Sequence, residues 1–160
     1  MQRSGKPSKI LLIEDEAAIR QVLRFFLKHN GYEVLDVPDG REAIRAIPDF
    51  KPDLVILDLV MRPVSGWEVL HWLRDRRLTP QIPVLVVSAL TRLKAQVQGF
   101  EEGAIEYITK PTQPSLIVER VRTILALNQQ QRTMLQHSRM DEQRKTFERV
   151  YAIQPDEFFS

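Results

Sequence analysis

Side chains able to do chemistry stand at the ends of four short apolar runs. Glu14, Asp15 and Glu16 follow Lys9-Ile10-Leu11-Leu12-Ile13, and Asp58 closes Leu54-Val55-Ile56-Leu57. Ser88 closes the run that starts at Pro83, and Lys110 follows Glu106-Tyr107-Ile108-Thr109. A run as apolar as 54–57 reads as a strand buried on both faces, and a carboxylate at its end is costly unless it is paired, metal-bound or opened to an active-site edge. Carboxylates that converge raise one another's pKa unless a cation compensates. A hard divalent ion such as Mg²⁺ takes carboxylate oxygens, a backbone carbonyl and waters, and once bound it attracts a phosphoryl group.

The elements that must bring these groups together alternate along the chain. Segments 9–13, 33–37, 54–57, 83–88 and 106–109 are rich in β-branched residues and read as strands. Between the first two, Ile19, Val22, Leu23, Phe26 and Leu27 recur at helical spacing, with Gly31 as a stop signal. Segments 40–47, 66–77, 92–102 and 115–127 are the further helix candidates; Gly103 stops the third of these and Pro114-Ser115 opens the last. Val37-Pro38-Asp39 reads as a turn and helix start. Strands alternating with helices imply an α/β fold: a doubly wound parallel sheet with right-handed crossovers. With strand order 2-1-3-4-5, the first and third strands are neighbours, and Glu14, Asp15 and Asp58 converge at the switch point.

Composition narrows the classes. The chain has 160 residues, 43% hydrophobic and 28% charged, as expected of one globular domain with a modest extension. It contains no cysteine, which excludes disulfides and thiolate chemistry and fits a cytoplasmic setting. No apolar run approaches membrane-spanning length, and MQRSGKPSK has no signal core. The balance of 23 basic against 21 acidic residues gives no argument for direct nucleic-acid binding. Arg74, Arg76 and Arg77 cluster, but at a helix end, where cations suit the macrodipole.

ILLIEDE, LVILDLV, VLVVSAL and YITKP, in this order at strand ends, resemble the receiver domain of bacterial two-component response regulators over residues 8–127. The resemblance implies a five-stranded sheet in flavodoxin-like order 2-1-3-4-5 and a switch rather than a metabolic enzyme, catalysing its own phosphoryl transfer and dephosphorylation. By the same resemblance, Asp58 is the nucleophile that accepts a phosphoryl group from a histidine kinase or phosphotransfer protein. Glu14, Asp15, Asp58 and the carbonyl of Val60 would hold Mg²⁺. Ser88 and Lys110 would contact the phosphoryl oxygens, and the Lys110-Pro111 peptide would be cis. Ser88 and Tyr107 would form the switch, Tyr107 swinging toward space that Ser88 vacates and altering the face of the fourth helix, fifth strand and fifth helix. An effector protein or domain would read that face.

Some residues depart from the family pattern. Glu14 stands where Asp is commonest and would reach the metal through water. Arg62 stands where a proline is usual, with Pro63 one place late, so the path of that loop is open; Gly66 keeps its spacing. Val60 and Leu90, which flank the phosphoryl group in receivers, are apolar and cannot orient a water for hydrolysis.

Taken singly, the groups have plainer roles: Asp58 and Ser88 as helix caps, Glu16 as an acidic first turn, Lys110 as a solvated cation, Tyr107 as a strand aromatic. A haloacid-dehalogenase-type phosphatase would want a second acid at Val60. A flavodoxin-like FMN carrier would want a phosphate loop where the acidic EDE stands. A pseudo-receiver, acting as a phosphorylation-independent interaction module, is the alternative kept. His29, His71 and His137 lack metal-like spacing, and Trp67 and Trp72 read as packing residues.

Residues 1–7 are expected to be disordered. Residues 128–160 are expected to be a helical extension or linker with a short tail, continuing the fifth helix as a long polar helix that Pro155 ends. The tail or the fourth-helix face would serve any homodimer.

Overall fold

The computed structural model describes residues 5–79 and 81–151. The expectations for the first four residues and for Pro155 lie outside them. Five strands, β1 (Lys9–Ile13), β2 (Glu33–Val37), β3 (Leu54–Leu57), β4 (Val84–Ser88) and β5 (Glu106–Thr109), alternate with five helices. These helices are α1 (Ala17–His29), α2 (Gly40–Phe50), α3 (Gly66–Asp75), α4 (Leu93–Glu101) and α5 (Pro114–Leu125); α6 (Gln129–Tyr151) follows. The strands form one parallel sheet in the order β2-β1-β3-β4-β5, as the alternation requires.

The period-two geometry of the strands divides the core in two. Leu11, Ile13, Val55, Leu57, Val84 and Val86 pack with residues of α2, α3 and α4 on one face. Ile10, Leu12, Leu54, Ile56, Leu85 and Val87 pack with α1 and α5 on the other. Central strands are therefore apolar on both sides, and any charge they deliver must emerge past their ends. The register does this: Ile13 pairs with Leu57, so Glu14 and Asp58 leave the sheet side by side.

Local signals account for most boundaries. Gly31 and Gly103 take positive φ (+91° and +117°) and stop α1 and α4. Asp39 caps α2 by accepting from the Glu42 amide at 2.9 Å. Helix α2 runs past the expected end at residue 47, through Pro48, to Phe50, which packs against the core. Helix α3 ends at Asp75, two residues before the expected end, because Arg77 is left-handed (φ +57°). At that end Arg76 lies over the Trp72 ring at 4.2 Å and Arg74 bonds Glu102 at 2.6 Å.

The tail corrects one expectation. It is not a continuation of α5, which stops at Leu125. Asn128 accepts from the Gln131 amide at 2.8 Å while the Gln131 side chain accepts from the Asn128 amide at 2.9 Å, a reciprocal cap that starts a new helix. Arg132 reaches back to donate to the Ile124 carbonyl at 3.3 Å, satisfying an end group of α5. The chain therefore turns, and α6 lies along α4.

Gly66 fixes how α3 meets the end of β3. A Cβ there would stand 2.1 Å from the Asp58 carbonyl oxygen and 2.6 Å from the Leu59 Cα, and its own amide donates to the Leu59 carbonyl at 3.0 Å. Only glycine permits that approach to the backbone. Gly66→Ala should destabilise the fold by about 2–3 kcal/mol, the usual scale of forced overpacking, as measured by urea unfolding.

Candidate functional site

The site assembles at the carboxyl ends of β1, β3, β4 and β5, beside the point where strand order reverses. Glu14, Asp15 and Asp58 each present a carboxylate oxygen within 4.8 Å of the others. Glu14 and Asp58 are buried (3% and 5% exposed), whereas Asp15 is open to solvent. Asp58 Oδ1 accepts from the Val60 amide at 3.0 Å, and Asp58 Oδ2 accepts from Lys110 Nζ at 3.1 Å. Lys110 Nζ also donates to Glu14 Oε1 at 2.5 Å, and Glu14 Oε2 accepts from the Glu16 amide at 3.1 Å. The Lys110–Pro111 peptide is cis, and so is Arg62–Pro63.

Electrostatics set the needs of this cluster. Burial pushes the Glu14 carboxyl above its ordinary pKa, opposed by the hydrogen bond from Lys110 and the Glu16 amide, with the Asp58 charge adding to the rise. Burial alone would lower Lys110, but hydrogen bonds from its ammonium to Glu14 and Asp58 outweigh it, and its pKa is raised. Three carboxylates against one ammonium leave a formal charge of −2. An oxygen-rich site with that deficit suits a hard divalent cation. The donor set therefore fits Mg²⁺.

Ser88 is fully buried at the end of β4, and its Oγ accepts from the Leu90 amide at 3.2 Å. That leaves the hydroxyl hydrogen for a second partner. Tyr107, for which a swing is expected on phosphorylation, lies in β5 beside Ser88. Its ring is already inside, packed against Gly99 of α4, where a Cβ would meet it at 3.1 Å. Its hydroxyl donates to the Leu90 carbonyl at 2.7 Å and lies in hydrogen-bonding contact with Ser88. The β4–α4 turn is thus tied at both groups of Leu90, by Ser88 and by Tyr107.

Sequence reasoning placed Glu14, Asp15, Asp58, Val60, Ser88, Tyr107 and Lys110 at this edge, and the fold brings them together there. It did not foresee that Glu14 makes the shorter of the two Lys110 contacts. It missed Arg20, which donates to the Glu14 carbonyl at 2.8 Å and pairs with Asp36 at 3.3 Å, holding the β1–α1 turn. Nothing in the local sequence marks that contact. Trp67 does more than pack: half-buried, it lines an opening over Asp15 together with Val60, Arg62 and Leu90.

Fold and site define a parallel α/β domain with a cation-ready acidic pocket and an inward-facing lysine at its switch point. The response regulator receiver domain model matches residues 10–122, and the chain belongs to that family. It is 38% identical to the phosphate regulon transcriptional regulatory protein PhoB of Pseudomonas aeruginosa, over 72% of this chain and 51% of that protein. It is equally 38% identical to the alkaline phosphatase synthesis transcriptional regulatory protein PhoP of Bacillus subtilis, over 73% of this chain and 48% of that one. The chain spans about half the length of the curated relatives it matches. Among solved structures it is similar to a putative response regulator from Chloroflexus aurantiacus (TM-score 0.71, 34% identity, 76% of this chain and 100% of that one). A CheY-like receiver domain protein from Methanospirillum hungatei also matches (TM-score 0.69, 25% identity, 88% and 99%).

Burial pushes the Tyr107 hydroxyl up to about 12; the Ser88 hydrogen bond opposes this and the Asp58 charge adds to it. The folded chain then keeps a proton that the unfolded chain releases near the ordinary tyrosine value of about 10. Stability must therefore fall as pH rises between these values, by on the order of 2 kcal/mol from this group. Tyr32 and Lys110, also raised, act in the same direction. Urea melts across this range should show a shallower fall for Tyr107→Phe than for the parent chain.

Proposed function

We propose that this chain is a phosphorylation-activated switch in which Asp58 takes a phosphoryl group from a histidine kinase or phosphotransfer protein in a Mg²⁺-dependent reaction. The observation that carries the reading is the division of labour at Asp58. One carboxylate oxygen is held by a backbone amide and the other by Lys110, with Glu14 and Asp15 alongside. A nucleophile so held has fixed orientation and an oxygen ready for attack.

Glu14, Asp15, Asp58 and the Val60 carbonyl are the groups that would hold the ion, which when bound supplies neutralisation of charge on the carboxylate and phosphoryl oxygens. In the transfer, an Asp58 oxygen forms a bond to phosphorus as the donor's N–P bond breaks, its electron pair returning to the donor imidazole. Lys110, already at Asp58, turns its ammonium to a phosphoryl oxygen, and the Ser88 hydroxyl donates to another. The phosphoryl group brings about −1.5 to −2 charges to the end of β3, and the Ser88–Leu90–Tyr107 ties carry the effect to α4. An effector protein or linked domain reads the result. The cytoplasm, where such donors present phosphohistidine, is the proposed compartment.

Labelling by acetyl phosphate tests this. Asp58→Asn should abolish incorporation while the variant stays folded, and chelation of Mg²⁺ should stop labelling of the parent. Incorporation unaffected by Asp58→Asn would refute the assignment. Because Trp67 lines the opening over Asp15, its fluorescence should change on addition of Mg²⁺.

Apolar Val60 and Leu90 border the same opening and offer no group to position water. The aspartyl phosphate should therefore hydrolyse slowly, and decay within seconds in the absence of a phosphatase would contradict that. Val60→Asn should speed the loss several-fold in a timed phosphoprotein assay.

A further inference from the structure

Helix α6 is polar on nearly every side, and a helix of that kind owes its place to what it touches. Its contacts run mainly along α4, with one ion pair to β5, the edge strand of the sheet. Phe147, its one buried residue, packs on Val97 of α4. Gln136 donates to the Phe100 carbonyl at 2.7 Å, and Arg144 pairs with Glu101. Arg139 pairs with Glu106 of β5 at 3.1 Å. Met140 packs against the cluster that contains Phe100 and Tyr107.

Tyr107 is the next residue after Glu106, and its ring lies beneath α4 at Gly99. To leave the interior, that ring would have to cross the α4–β5 surface. That surface is where α6 lies. We propose that α6 is a latch in cis: by closing the α4–β5 surface it holds Tyr107 inward, on Ser88 and Leu90, and so biases the domain toward its phosphoryl-accepting arrangement.

The latch rests on the phospho-acceptor reading of Asp58 but adds a property of its own, a coupling between α6 docking and occupancy of the site. Such coupling is reciprocal: what α6 does for phosphoryl binding, phosphoryl binding does for α6. Its strength is limited by the contacts α6 makes, and these are incomplete. Arg139 Nε and Gln143 Oε1 are buried without a hydrogen-bond partner. A latch of limited contact energy can be outweighed, which is what a switch element requires.

Beryllofluoride with Mg²⁺ serves as the phosphoryl mimic, and Trp67 fluorescence reports its binding. In the full chain, the pair Arg139→Ala and Phe147→Ala should weaken beryllofluoride binding on the order of fivefold or more. In the same variant the Tyr107 hydroxyl should titrate lower than in the parent chain, since its ring gains a way out. The chain has no cysteine, so spin labels at Arg45→Cys and Lys145→Cys can follow α6 without altering those contacts. Their distance distribution should narrow when beryllofluoride binds. Unchanged affinity in the loosened variant, or a distribution that broadens and lengthens on binding, would overturn the latch while leaving the acceptor reading intact. Failure of the parent chain to bind beryllofluoride would overturn the acceptor reading itself.

Discussion

The ammonium of Lys110 is the point on which the site balances. Two carboxylates, Glu14 and Asp58, are held out of water at the ends of adjacent strands, where like charges repel and neither is well solvated. A single cation from β5 reaches both, across 2.5 Å and 3.1 Å. Removing one partner of such a buried set costs far more than the set contributes, because the remaining charge is stranded. The ammonium compensates only part of the acid charge, and the remainder makes the pocket receptive to a divalent cation. Partial neutralisation thus holds the cluster together while leaving acidic charge in reserve.

This balance depends on backbone placement to within fractions of an ångström. Gly66 lets α3 press on the carbonyl of Asp58, and the Val60 amide holds one carboxylate oxygen from the other side. Arg20 fixes the β1–α1 turn from which Glu14 and Asp15 project. From β4, Ser88 and Leu90 hand the geometry on to Tyr107, and Tyr107 hands it to α4 through its contact with Gly99. Ser88 and α4 are thus joined by packed, hydrogen-bonded groups rather than by a loose loop. Beyond α4, helix α6 reaches the edge strand β5 through the Arg139–Glu106 ion pair.

Particular residues show how much of this was legible. The apolar runs gave the strands to within a residue, and Gly31, Asp39 and Gly103 marked turns for steric and capping reasons that hold in any context. The reciprocal cap of Asn128 and Gln131 was equally local and could have been read: an Asn followed three residues later by a Gln is a helix start. A long run of helix formers hides it, so that the tail reads as an extension of α5. The inward seat of Tyr107 depends on the space left by Gly99 and on a carbonyl from another turn. No pattern in the neighbourhood of Tyr107 encodes either.

By itself, the sequence determined the element order, the parallel sheet and the set of chemical groups delivered to one edge, because hydrophobic periodicity and strand-end chemistry are properties of short stretches. The tertiary structure alone decided which oxygen Lys110 holds more closely, that Arg20 braces the acidic turn, and that α6 folds back over α4 and β5. These are contacts between groups far apart in the chain. Their distances are set by how the layers pack, and packing is a property of the whole molecule.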